Sequence, residues 1–300
     1  MTSLDAVLEG LAPTAITRAA PLAPWCTVRV GGSADALVRP PNTDALAKVL
    51  ARAKTEGVPV TLLGGGANTL VGDGGVRGVT LKLPADISPE EISGVKLTLC
   101  AGSAIARVVT VMKQQKMVGA EFVAGIPGTL GGAVAMNAGT RNGETMTIVE
   151  ALELATPDGV GWVPATQVKF EYRHTHLPPG SVVLRVKFAL REGDLAESQK
   201  KMDEDLGYRK RTQPLSQPNF GSVFTNPPGH FAGKLIESVG LKGHTIGGAQ
   251  ISEKHANWIV NLGGAKARDV VALMDEAHRR VREQHGVELH PEVKRIGEFG

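Results

Sequence analysis

The sequence predicts an α+β fold, with a large N-terminal part at residues 1–192 and a smaller C-terminal part at residues 193–300. Two observations lead to this prediction. Short strand patterns and amphipathic helix patterns are mixed along the chain, without the regular βα alternation of a parallel-sheet protein. The composition also changes near Gly193, where a charged helical segment follows the strands. The chain has no repeat at a fixed period.

Hydrophobic spacing and helix-boundary residues give the elements of the N-terminal part in order. Helices are predicted at 3–11, 43–56 and 103–117, with helical potential at 130–137. Strands are predicted at 27–30, 36–38, 58–63, 76–83, 96–100, 148–156, 161–164 and 182–190. The helix at 43–56 is the clearest, because Thr43 is a capping residue and Gly57 ends the pattern.

In the C-terminal part, helices are predicted at 195–211, 234–239 and 265–285, and a short strand at 258–260. The last helix is strongly amphipathic, and Gly286 is its expected C-cap. The residues expected on its buried face are Val270, Val271, Met274, Ala277 and Val281.

Composition limits the functions open to the chain. It has 300 residues, of which 42% are hydrophobic, as in a globular protein and unlike a disordered one. The 33 Lys and Arg residues exceed the 30 Asp and Glu residues only slightly, for a net charge of +3. Nucleic-acid binders carry a larger or clustered excess, and the 4% aromatic content gives no stacking platform. We therefore expect no nucleic-acid partner.

Cysteine content and the N-terminal segment indicate the compartment. Cys26 and Cys100 are too few for a disulfide framework or a cysteine-based zinc site, and they favour a reducing environment. The N-terminal segment lacks a basic stretch followed by an apolar core, so we expect no signal peptide. No run approaches 18 apolar residues, so no membrane span is expected. The expected protein is a cytoplasmic monomer with no membrane partner.

Glycine is the unusual component of the sequence. The chain has 37 glycines among 300 residues, about 12% where proteins average about 7%. Many lie in two clusters, at 64–75 directly after a predicted strand and at 125–139. Because glycine has no Cβ, the backbone N–H groups of such loops can converge on an anion such as pyrophosphate, and Asn68, Thr69 and Thr129 add side-chain donors. The alternative is that both clusters are only tight turns.

A Rossmann dinucleotide site is excluded. Its glycine fingerprint opens a helix that packs on the preceding strand. The segment after Gly66 instead continues as turns and another strand, with no helical stripe. A dinucleotide would therefore be held by loops and not by the N-terminus of a helix.

Nine short motifs follow one another along nearly the whole chain. They are TVRVGG (27–32), GGGANTLV (64–71), GIPGTLGGA (125–133), MNAG (136–139), YR (172–173), GSVFTNP (221–227), GKLI (233–236), SEKHAN (252–257) and PE (291–292). In this order they resemble the UDP-N-acetylenolpyruvoylglucosamine reductase (MurB) family, flavoenzymes of peptidoglycan precursor synthesis. The GSVFTNP form and the chain length resemble the shorter, type II subclass.

The resemblance implies an FAD-binding fold of the vanillyl-alcohol-oxidase (PCMH) type in two lobes, at about 1–83 and 84–192. A substrate-binding lobe at 193–300 would follow, with a C-terminal tail that returns to the active site. FAD would be bound non-covalently and reduced by NADPH. The residues implied to contact FAD are Arg29, Gly64, Gly65, Gly66, Ala67, Asn68, Thr69, Gly125, Ile126, Pro127, Gly128, Thr129, Gly131, Gly132 and Ala133.

The implied reaction reduces the enolpyruvyl ether of a UDP-N-acetylglucosamine derivative to the lactyl ether, which gives UDP-N-acetylmuramate. Ser222 matches the family's proton donor. Arg173 matches the arginine that holds the substrate carboxylate and stabilises the enolate, a task suited to a planar guanidinium. Glu292 matches the glutamate that completes the site, where it would polarise that carboxylate or assist Ser222. The residues implied to contact the substrate are Tyr172, Arg211 and Asn226.

Each catalytic assignment has a structural alternative. Ser222 could be a loop serine that satisfies nearby backbone groups, Arg173 a surface partner of Glu171, and Glu292 a solvated charge in the tail. For the whole protein, the alternatives are another flavoenzyme on the same fold, with a different third lobe, and a non-catalytic protein that binds a flavin or a nucleotide sugar.

The sequence departs from the family at two places and carries one unexplained pair. Two residues after the YR motif the family has serine, whereas this chain has Thr175, which keeps a hydroxyl. After the MNAG motif the family commonly continues Ala-Tyr-Gly, whereas this chain has Thr-Arg-Asn-Gly at 140–143. His174 and His176 would share one face of a strand, as metal ligands can. Because no third ligand cluster is visible, no metal is expected.

Overall fold

The computed structural model describes residues 2–299 and gives seven α-helices within them. The helices are α1 (Ser3–Leu8), α2 (Thr43–Glu56), α3 (Ala106–Gln114), α4 (Leu130–Ala135), α5 (Leu195–Thr212), α6 (Ala232–Ser238) and α7 (Ala267–His285). All seven lie inside or across segments predicted to be helical, although α3 and α4 are shorter than predicted. The helix predicted at 43–56 is confirmed, except that its side-chain cap is Asn42, whose Oδ1 accepts from the Ala45 amide at 2.9 Å.

Short strands make up most of the remaining regular structure. The N-terminal strands are β1 (Ile16–Pro21), β2 (Ser33–Val38), β3 (Val60–Leu62), β4 (Thr69–Val71), β5 (Val76–Leu81), β6 (Glu91–Ser93), β7 (Lys96–Cys100), β8 (Met117–Val118), β9 (Gly139–Thr140), β10 (Gly143–Glu144), β11 (Val149–Thr156), β12 (Gly159–Pro164), β13 (Phe170–Glu171), β14 (His174–Thr175), β15 (Val182–Ala189) and β16 (Arg191–Glu192). The C-terminal strands are β17 (Asn219–Ser222), β18 (Thr245–Ile246), β19 (Ala249–Ile251), β20 (Trp258–Asn261) and β21 (Lys294–Ile296).

Three sheets carry most of these strands. One has five antiparallel strands in the order β12-β11-β15-β7-β6, and another has four antiparallel strands in the order β17-β20-β19-β18. The third has the order β1-β2-β5-β3, with β3 and β5 parallel. A separate parallel pair joins β4 to β21 near the end of the chain. The mixture of antiparallel sheets, two parallel pairs and helices confirms the predicted α+β class.

The chain forms two compact units, each assembled from segments that are distant in sequence. The first unit comprises the chain up to Arg18, residues 36–64 and residues 78–207. The second unit comprises residues 19–35, residues 65–77 and the chain from Tyr208 onward. The division into domains at residues 192/193 stays a prediction.

The core of the first unit lies on both faces of the five-stranded sheet. Its central strand β15 has a register shift against β11 between Val183 and Arg185, so that Val186 and Phe188 join one hydrophobic cluster while Val182 and Leu184 join another. The first cluster includes buried residues of α3 and α4, and the second includes the buried stripe of α2. Burying each such aliphatic or aromatic side chain contributes about 1.5–3 kcal/mol to the free energy of unfolding. The sheet is therefore a stable base for the loops that leave its strands.

The core of the second unit is built on α7. Its buried residues recur at helical spacing, and the helix packs against β18, β19 and α6. The expected stripe is largely confirmed, with one exchange: Leu273 is buried, whereas Val271 is only half-buried. Gly286 ends the helix in the left-handed conformation, as expected.

The N-terminus of α7 is capped from a distant part of the chain. Both carboxylate oxygens of Asp73 accept backbone N–H groups there, from Ala267 at 2.8 Å and from Arg268 at 3.1 Å. A carboxylate at this position satisfies unpaired amides and interacts favourably with the helix dipole. Asp73 lies in the first glycine cluster, so this part of the cluster has a structural role.

Two sequence predictions about local structure are wrong. Residues 27–30 form a turn and not a strand, because Arg29 has a left-handed backbone (φ 60°) and the Asn261 side-chain amide donates to the carbonyls of Val28 and Arg29. The polar segment 171–179, where no element was expected, completes the β13–β14 hairpin. Its strands have two residues each, too few to show a periodic pattern.

We predict that Asp73→Ala lowers the thermal unfolding midpoint by about 2–4 °C, because losing a helix cap costs about 1 kcal/mol. Differential scanning calorimetry of the flavin-loaded protein measures the shift. Asp73→Asn keeps one acceptor oxygen and should lose less. An unchanged midpoint in Asp73→Ala would show that the contact does not stabilise α7.

Candidate active site

The loop 64–68 has a distinctive pattern of hydrogen bonds. The carbonyl of Gly64 accepts from Lys82 Nζ at 2.5 Å, that of Gly66 from the Thr27 amide at 3.1 Å, and that of Asn68 from the Lys294 amide at 3.0 Å. Within residues 2–299, the amides of residues 64–67 donate to no protein acceptor. Tethered carbonyls with uncommitted amides are the arrangement that suits a phosphate or diphosphate.

Gly66 is the residue of this loop that backbone geometry explains best. Its φ is +63°, a region that residues with a side chain rarely adopt. A Cβ at this position would overlap the Trp25 carbonyl oxygen and would lie 2.7 Å from Cys26 Cα. Glycine is therefore required here both for its conformation and for the close approach of a neighbouring backbone.

The second glycine cluster, in the first unit, is only partly open to a ligand. Leu130 donates its amide to the Ser103 carbonyl and Gly131 to the Ala101 carbonyl, while the Gly132 amide donates to Thr129 Oγ1 at 3.4 Å. The amides of Gly125, Gly128 and Thr129 have no such acceptor in the described part of the chain. Of this cluster, residues 125–129 are thus the better candidates for ligand contacts, and residues 130–133 mainly attach α4 to the sheet. This attached part includes Gly131, Gly132 and Ala133, three of the residues that were expected to contact FAD.

The two clusters approach each other at Gly64. A Cβ on Gly64 would lie 2.8 Å from Thr129 Oγ1, so the backbone of one cluster reaches the capping threonine of the other. Lys82, bonded to the Gly64 carbonyl, brings a positive charge to the same place. Sequence reasoning missed Lys82, since it lies near the end of a predicted strand with no motif to mark it.

Ser222 ends strand β17 in the second unit, next to a distortion. The register of β17 against β20 shifts between Asn219 and Ser222, and Gly221 between them has φ +80°. The Gly221 amide donates to Asn219 Oδ1 at 3.0 Å, which fixes the distortion. Bulges of this kind redirect a side chain. The half-buried Ser222 hydroxyl makes no hydrogen bond within residues 2–299, so it is not committed to satisfying local backbone.

Glu292 lies beside Ser222 in the same unit. Its amide donates to the carbonyl of Val223, the residue after Ser222, at 2.8 Å. Its own carbonyl accepts from Asn68 Nδ2 at 3.0 Å. The backbone therefore brings Ser222, Glu292 and the loop 65–69 together within the second unit.

Thr27 and Arg29 contact the segments around the glycine loop and Ser222 within the second unit. Thr27 Oγ1 donates to the Asn219 carbonyl at 2.5 Å while its amide binds the Gly66 carbonyl, so one residue links the glycine loop to the strand of Ser222. Arg29, an expected FAD contact, donates from Nη1 to the Pro24 carbonyl at 2.9 Å.

Arg173 occupies the turn of the β13–β14 hairpin in the first unit. Its backbone is left-handed (φ 62°), its Nη2 donates to the Gly139 carbonyl at 3.1 Å, and its guanidinium lies 4.8 Å from the centre of the Tyr172 ring. Glu171, the alternative partner, instead pairs with His176 at 3.0 Å. A carbonyl and an aromatic face thus contact the guanidinium within this unit, while Glu171 pairs with His176.

Asn137 secures that hairpin and was missed as a functional residue. It is fully buried, and its Nδ2 donates to Glu144 Oε2 at 2.8 Å and to the Glu171 carbonyl at 3.1 Å. Its Oδ1 accepts from the Met146 amide at 3.0 Å. The MNAG motif therefore positions the residue that precedes Tyr172 and Arg173.

The segment 140–143, where the chain departs from the family pattern, is a tight hairpin between β9 and β10. The Asn142 Nδ2 donates to both carboxylate oxygens of Asp205 at 2.8 and 2.9 Å, and Arg141 lies 3.5 Å from the same carboxylate. These contacts anchor the segment to α5 and give Arg141 and Asn142 a structural role.

The remaining expected substrate contacts are in the second unit. Arg211 lies exposed in the last turn of α5. Asn226 Oδ1 accepts from the Ala232 amide at the start of α6, at 3.0 Å. Asn226 therefore stabilises the start of that helix whatever else it contacts.

His174 and His176 do not form part of a metal cluster. Their rings are 4.4 Å apart in an edge-on arrangement. Among the residues that the structure describes, no group of three or more His, Cys, Asp or Glu side chains could hold a metal ion. Across residues 2–299 there is also no helix both long enough and apolar enough to cross a membrane.

Comparison with known proteins decides the family. Residues 213–296 match the model of the UDP-N-acetylenolpyruvoylglucosamine reductase C-terminal domain, and residues 34–161 match an FAD binding domain. The UDP-N-acetylenolpyruvoylglucosamine reductase of Myxococcus xanthus is 61% identical over 99% of this chain and 97% of its own length. The chain belongs to the UDP-N-acetylenolpyruvoylglucosamine reductase family.

Further relatives in the family agree. The reductase of Bacillus subtilis is 41% identical over 92% of both chains. The crystal structure of the Thermus caldophilus reductase superposes with a TM-score of 0.81 at 36% identity, over 94% of this chain and 98% of that one. The predicted FAD-binding fold and the assignment as a flavin-dependent oxidoreductase, a UDP-N-acetylmuramate dehydrogenase, are confirmed. The family match at 213–296 rules out a flavoenzyme with a different third lobe.

The family models also show where the site residues fall. The FAD binding domain at 34–161 contains both glycine clusters. The C-terminal family domain at 213–296 contains Ser222, Asn226 and Glu292, while Arg173 lies in neither match. The roles of the individual site residues in the family's reaction stay predictions.

We predict that Gly66→Ala lowers both the FAD content and the thermal midpoint of the purified protein, because a Cβ there forces the loop away from residues 25 and 26. The matched control is Gly57→Ala, since Gly57 has nearly the same φ, +64°, but open space around its Cβ position. That control should lose only the strain of a left-handed alanine, about 1–2 kcal/mol. Flavin absorbance per protein and calorimetry measure both effects. Equal losses in the two variants would contradict the close approach at Gly66.

Proposed function

We propose that the protein reduces UDP-N-acetyl-3-O-(1-carboxyvinyl)-glucosamine to UDP-N-acetylmuramate, with FAD as its cofactor and NADPH as the reductant, in peptidoglycan precursor synthesis. The observation that carries the proposal is the meeting of Ser222, Glu292 and the loop 65–69 within one unit. A proton donor, a carboxyl group and an anion-binding loop are the parts that this reduction needs in one place.

FAD fits the residues present. The uncommitted amides of residues 64–67 and the charge of Lys82 suit its diphosphate, and Thr69, Gly125, Ile126, Pro127, Gly128 and Thr129 are the further residues that would hold it. Bound FAD supplies the hydride for the vinyl carbon of the substrate. The protein must then position the enolpyruvyl group, stabilise the negative charge that develops towards its carboxylate, and deliver a proton.

Ser222 is the proposed proton donor. Serine is a weak acid in water, but a carbon with enolate character is a much stronger base than water. A donor that is already in place adds little reorganisation energy. The absence of a local hydrogen bond to its hydroxyl, and the bulge that redirects it, support this role over that of a loop serine.

Arg173 is the proposed partner of the substrate carboxylate. A guanidinium presents two parallel N–H donors to a carboxylate and keeps its charge at all physiological pH values. Its left-handed backbone and its contacts with Gly139 and Tyr172 support a residue held in place before the substrate arrives.

Glu292 is proposed to polarise the substrate carboxylate or to assist Ser222, because its backbone is bonded next to that serine. Tyr172, Arg211 and Asn226 are the proposed substrate contacts. Since Asn226 Oδ1 is occupied by the Ala232 amide, a contact with substrate would fall to its Nδ2.

We also propose that the protein acts as a cytoplasmic monomer. Its small-molecule substrates need no nucleic acid or membrane partner. Cys26 and Cys100 are both buried, and neither forms a disulfide within the described residues, which supports a reducing compartment.

The first test of this function is NADPH oxidation by the flavin-loaded protein. We expect oxidation to depend on the enolpyruvyl nucleotide sugar and to yield UDP-N-acetylmuramate in equal amount, measured by absorbance and mass spectrometry. NADH serves as the comparison reductant. A yellow protein that binds the nucleotide sugar but never reduces it would favour the non-catalytic alternative.

The second test separates the two half-reactions. Ser222→Ala should keep reduction of the flavin by NADPH near the wild-type rate and slow substrate reduction at least 100-fold, because general acid catalysis contributes about 10²–10⁴-fold. Stopped-flow absorbance of the flavin follows each half-reaction. The control Ser216→Ala changes an exposed serine in the loop before β17. Equal loss of both half-reactions in Ser222→Ala would argue against the proton-donor role.

A further inference from the structure

The backbone segment 290–294 is held on two sides within the second unit. On one side it bonds to the residues after Ser222: the Glu292 amide donates to the Val223 carbonyl at 2.8 Å, and the Thr225 amide donates to the His290 carbonyl at 3.0 Å. On the other side, Glu292 and Lys294 both bond to Asn68 of the first glycine cluster.

Asn68 contacts this segment with both its side chain and its backbone. Its Nδ2 donates to the Glu292 carbonyl at 3.0 Å, and its own carbonyl accepts from the Lys294 amide at 3.0 Å. From Lys294 onward, β21 continues as a regular parallel ladder on β4, with Lys294 opposite Thr69 and Ile296 opposite Val71. The bond from Asn68 Nδ2 thus lies just before the start of the β4–β21 ladder. Its acceptor is the carbonyl of Glu292, the carboxylate residue proposed to act in catalysis.

We propose that Asn68 is a positioning residue for Glu292, acting through the hydrogen bond from its Nδ2 to the Glu292 carbonyl. This inference rests on the proposed function. The bond fixes the peptide group between Glu292 and Val293, and so the direction in which the Glu292 side chain leaves the backbone. It also gives Asn68 a task beyond the FAD contact expected from its motif.

The local geometry separates this role from a general structural one. Removing the Asn68 side chain leaves its backbone carbonyl in place, so the bond from the Lys294 amide and the β4–β21 ladder remain. The Glu292 amide also keeps its bond to Val223. The donor to the Glu292 carbonyl is lost, so the tail should stay attached while the orientation at residue 292 becomes less defined.

The experiment compares Asn68→Ala and Asn68→Asp with the wild type. Aspartate keeps the shape of asparagine but has no donor at this position. We expect the flavin-loaded fraction of both variants to transfer reduction to the enolpyruvyl substrate about tenfold more slowly than the wild type, a clearly larger loss than any change in their reduction by NADPH. Flavin absorbance gives the FAD content, and single-turnover stopped-flow gives the two rates. Lys294→Ala is the matched control, because it removes an exposed side chain from the same strand and leaves the amide that bonds to Asn68.

A double-mutant cycle tests whether Asn68 acts through Glu292. In a Glu292→Gln background, Asn68→Asp should slow substrate reduction by much less than tenfold, because the carboxyl group that it positions is already gone. A full tenfold further loss would overturn the inference. So would equal slowing of both half-reactions in the flavin-loaded variants, since that would place Asn68 at the cofactor alone. A wild-type protein that does not reduce the enolpyruvyl substrate would instead overturn the proposed function, and this inference with it.

Discussion

The alternate carbonyl groups of the loop 64–68 are the constraint on which the rest of the site depends. Gly64, Gly66 and Asn68 each have their carbonyl oxygen bonded to a group of the protein, whereas the amides of residues 64–67 have no acceptor within the described chain. Because each peptide group is planar, fixing a carbonyl also fixes the direction of the amide that follows it. Donors from other parts of the protein hold the loop by its carbonyl oxygens, and the loop's own amides remain available to bind an anion. Tethered amides of this kind need no reorganisation when a diphosphate binds.

Backbone strain marks the same functional regions. Arg29, Asn137 and Arg173 adopt positive φ values although none is glycine, and each such residue costs of order 1–2 kcal/mol. In each case hydrogen bonds offset the cost: Asn261 bonds to the carbonyls of Val28 and Arg29, Asn137 itself makes three side-chain bonds, and Arg173 bonds to the Gly139 carbonyl. Strain concentrated at Arg173 is the expected consequence of a turn that must present a guanidinium in one orientation. Ala19 and Lys116 also have positive φ, so strain alone does not identify a functional residue.

The sequence predicts the periodic parts of this structure and the motif residues, but not the contacts between distant segments. The α7 helix has a clear apolar stripe and a C-terminal glycine, so its boundaries are close to those predicted. The motifs likewise mark Ser222, Arg173 and Glu292. By contrast, nothing near Asp73 in sequence indicates that it caps a helix almost 200 residues later, and nothing near Asn68 indicates its bond to Glu292. Such pairings depend on the three-dimensional path of the chain, on which residue spacing carries no information. Lys82 and Thr27 were missed as site residues for the same reason.

The first glycine cluster, continuous in sequence, divides into two parts with different physical roles. The amides of residues 64–67 have no acceptor within the described chain, and residues 65–68 lie beside Ser222 and Glu292, the groups proposed for catalysis in the second unit. Further along, the Gly72 amide donates to the Ile296 carbonyl and the Gly74 amide to the Glu298 carbonyl, so these glycines hold the C-terminal tail. Glu292 lies only a few residues before this part of the tail. The cluster therefore holds Glu292 in two ways, directly through the Asn68 side chain and indirectly through the pairing of β21 with β4. A glycine-rich sequence that looks like one phosphate loop therefore also serves to attach the end of the chain to the site.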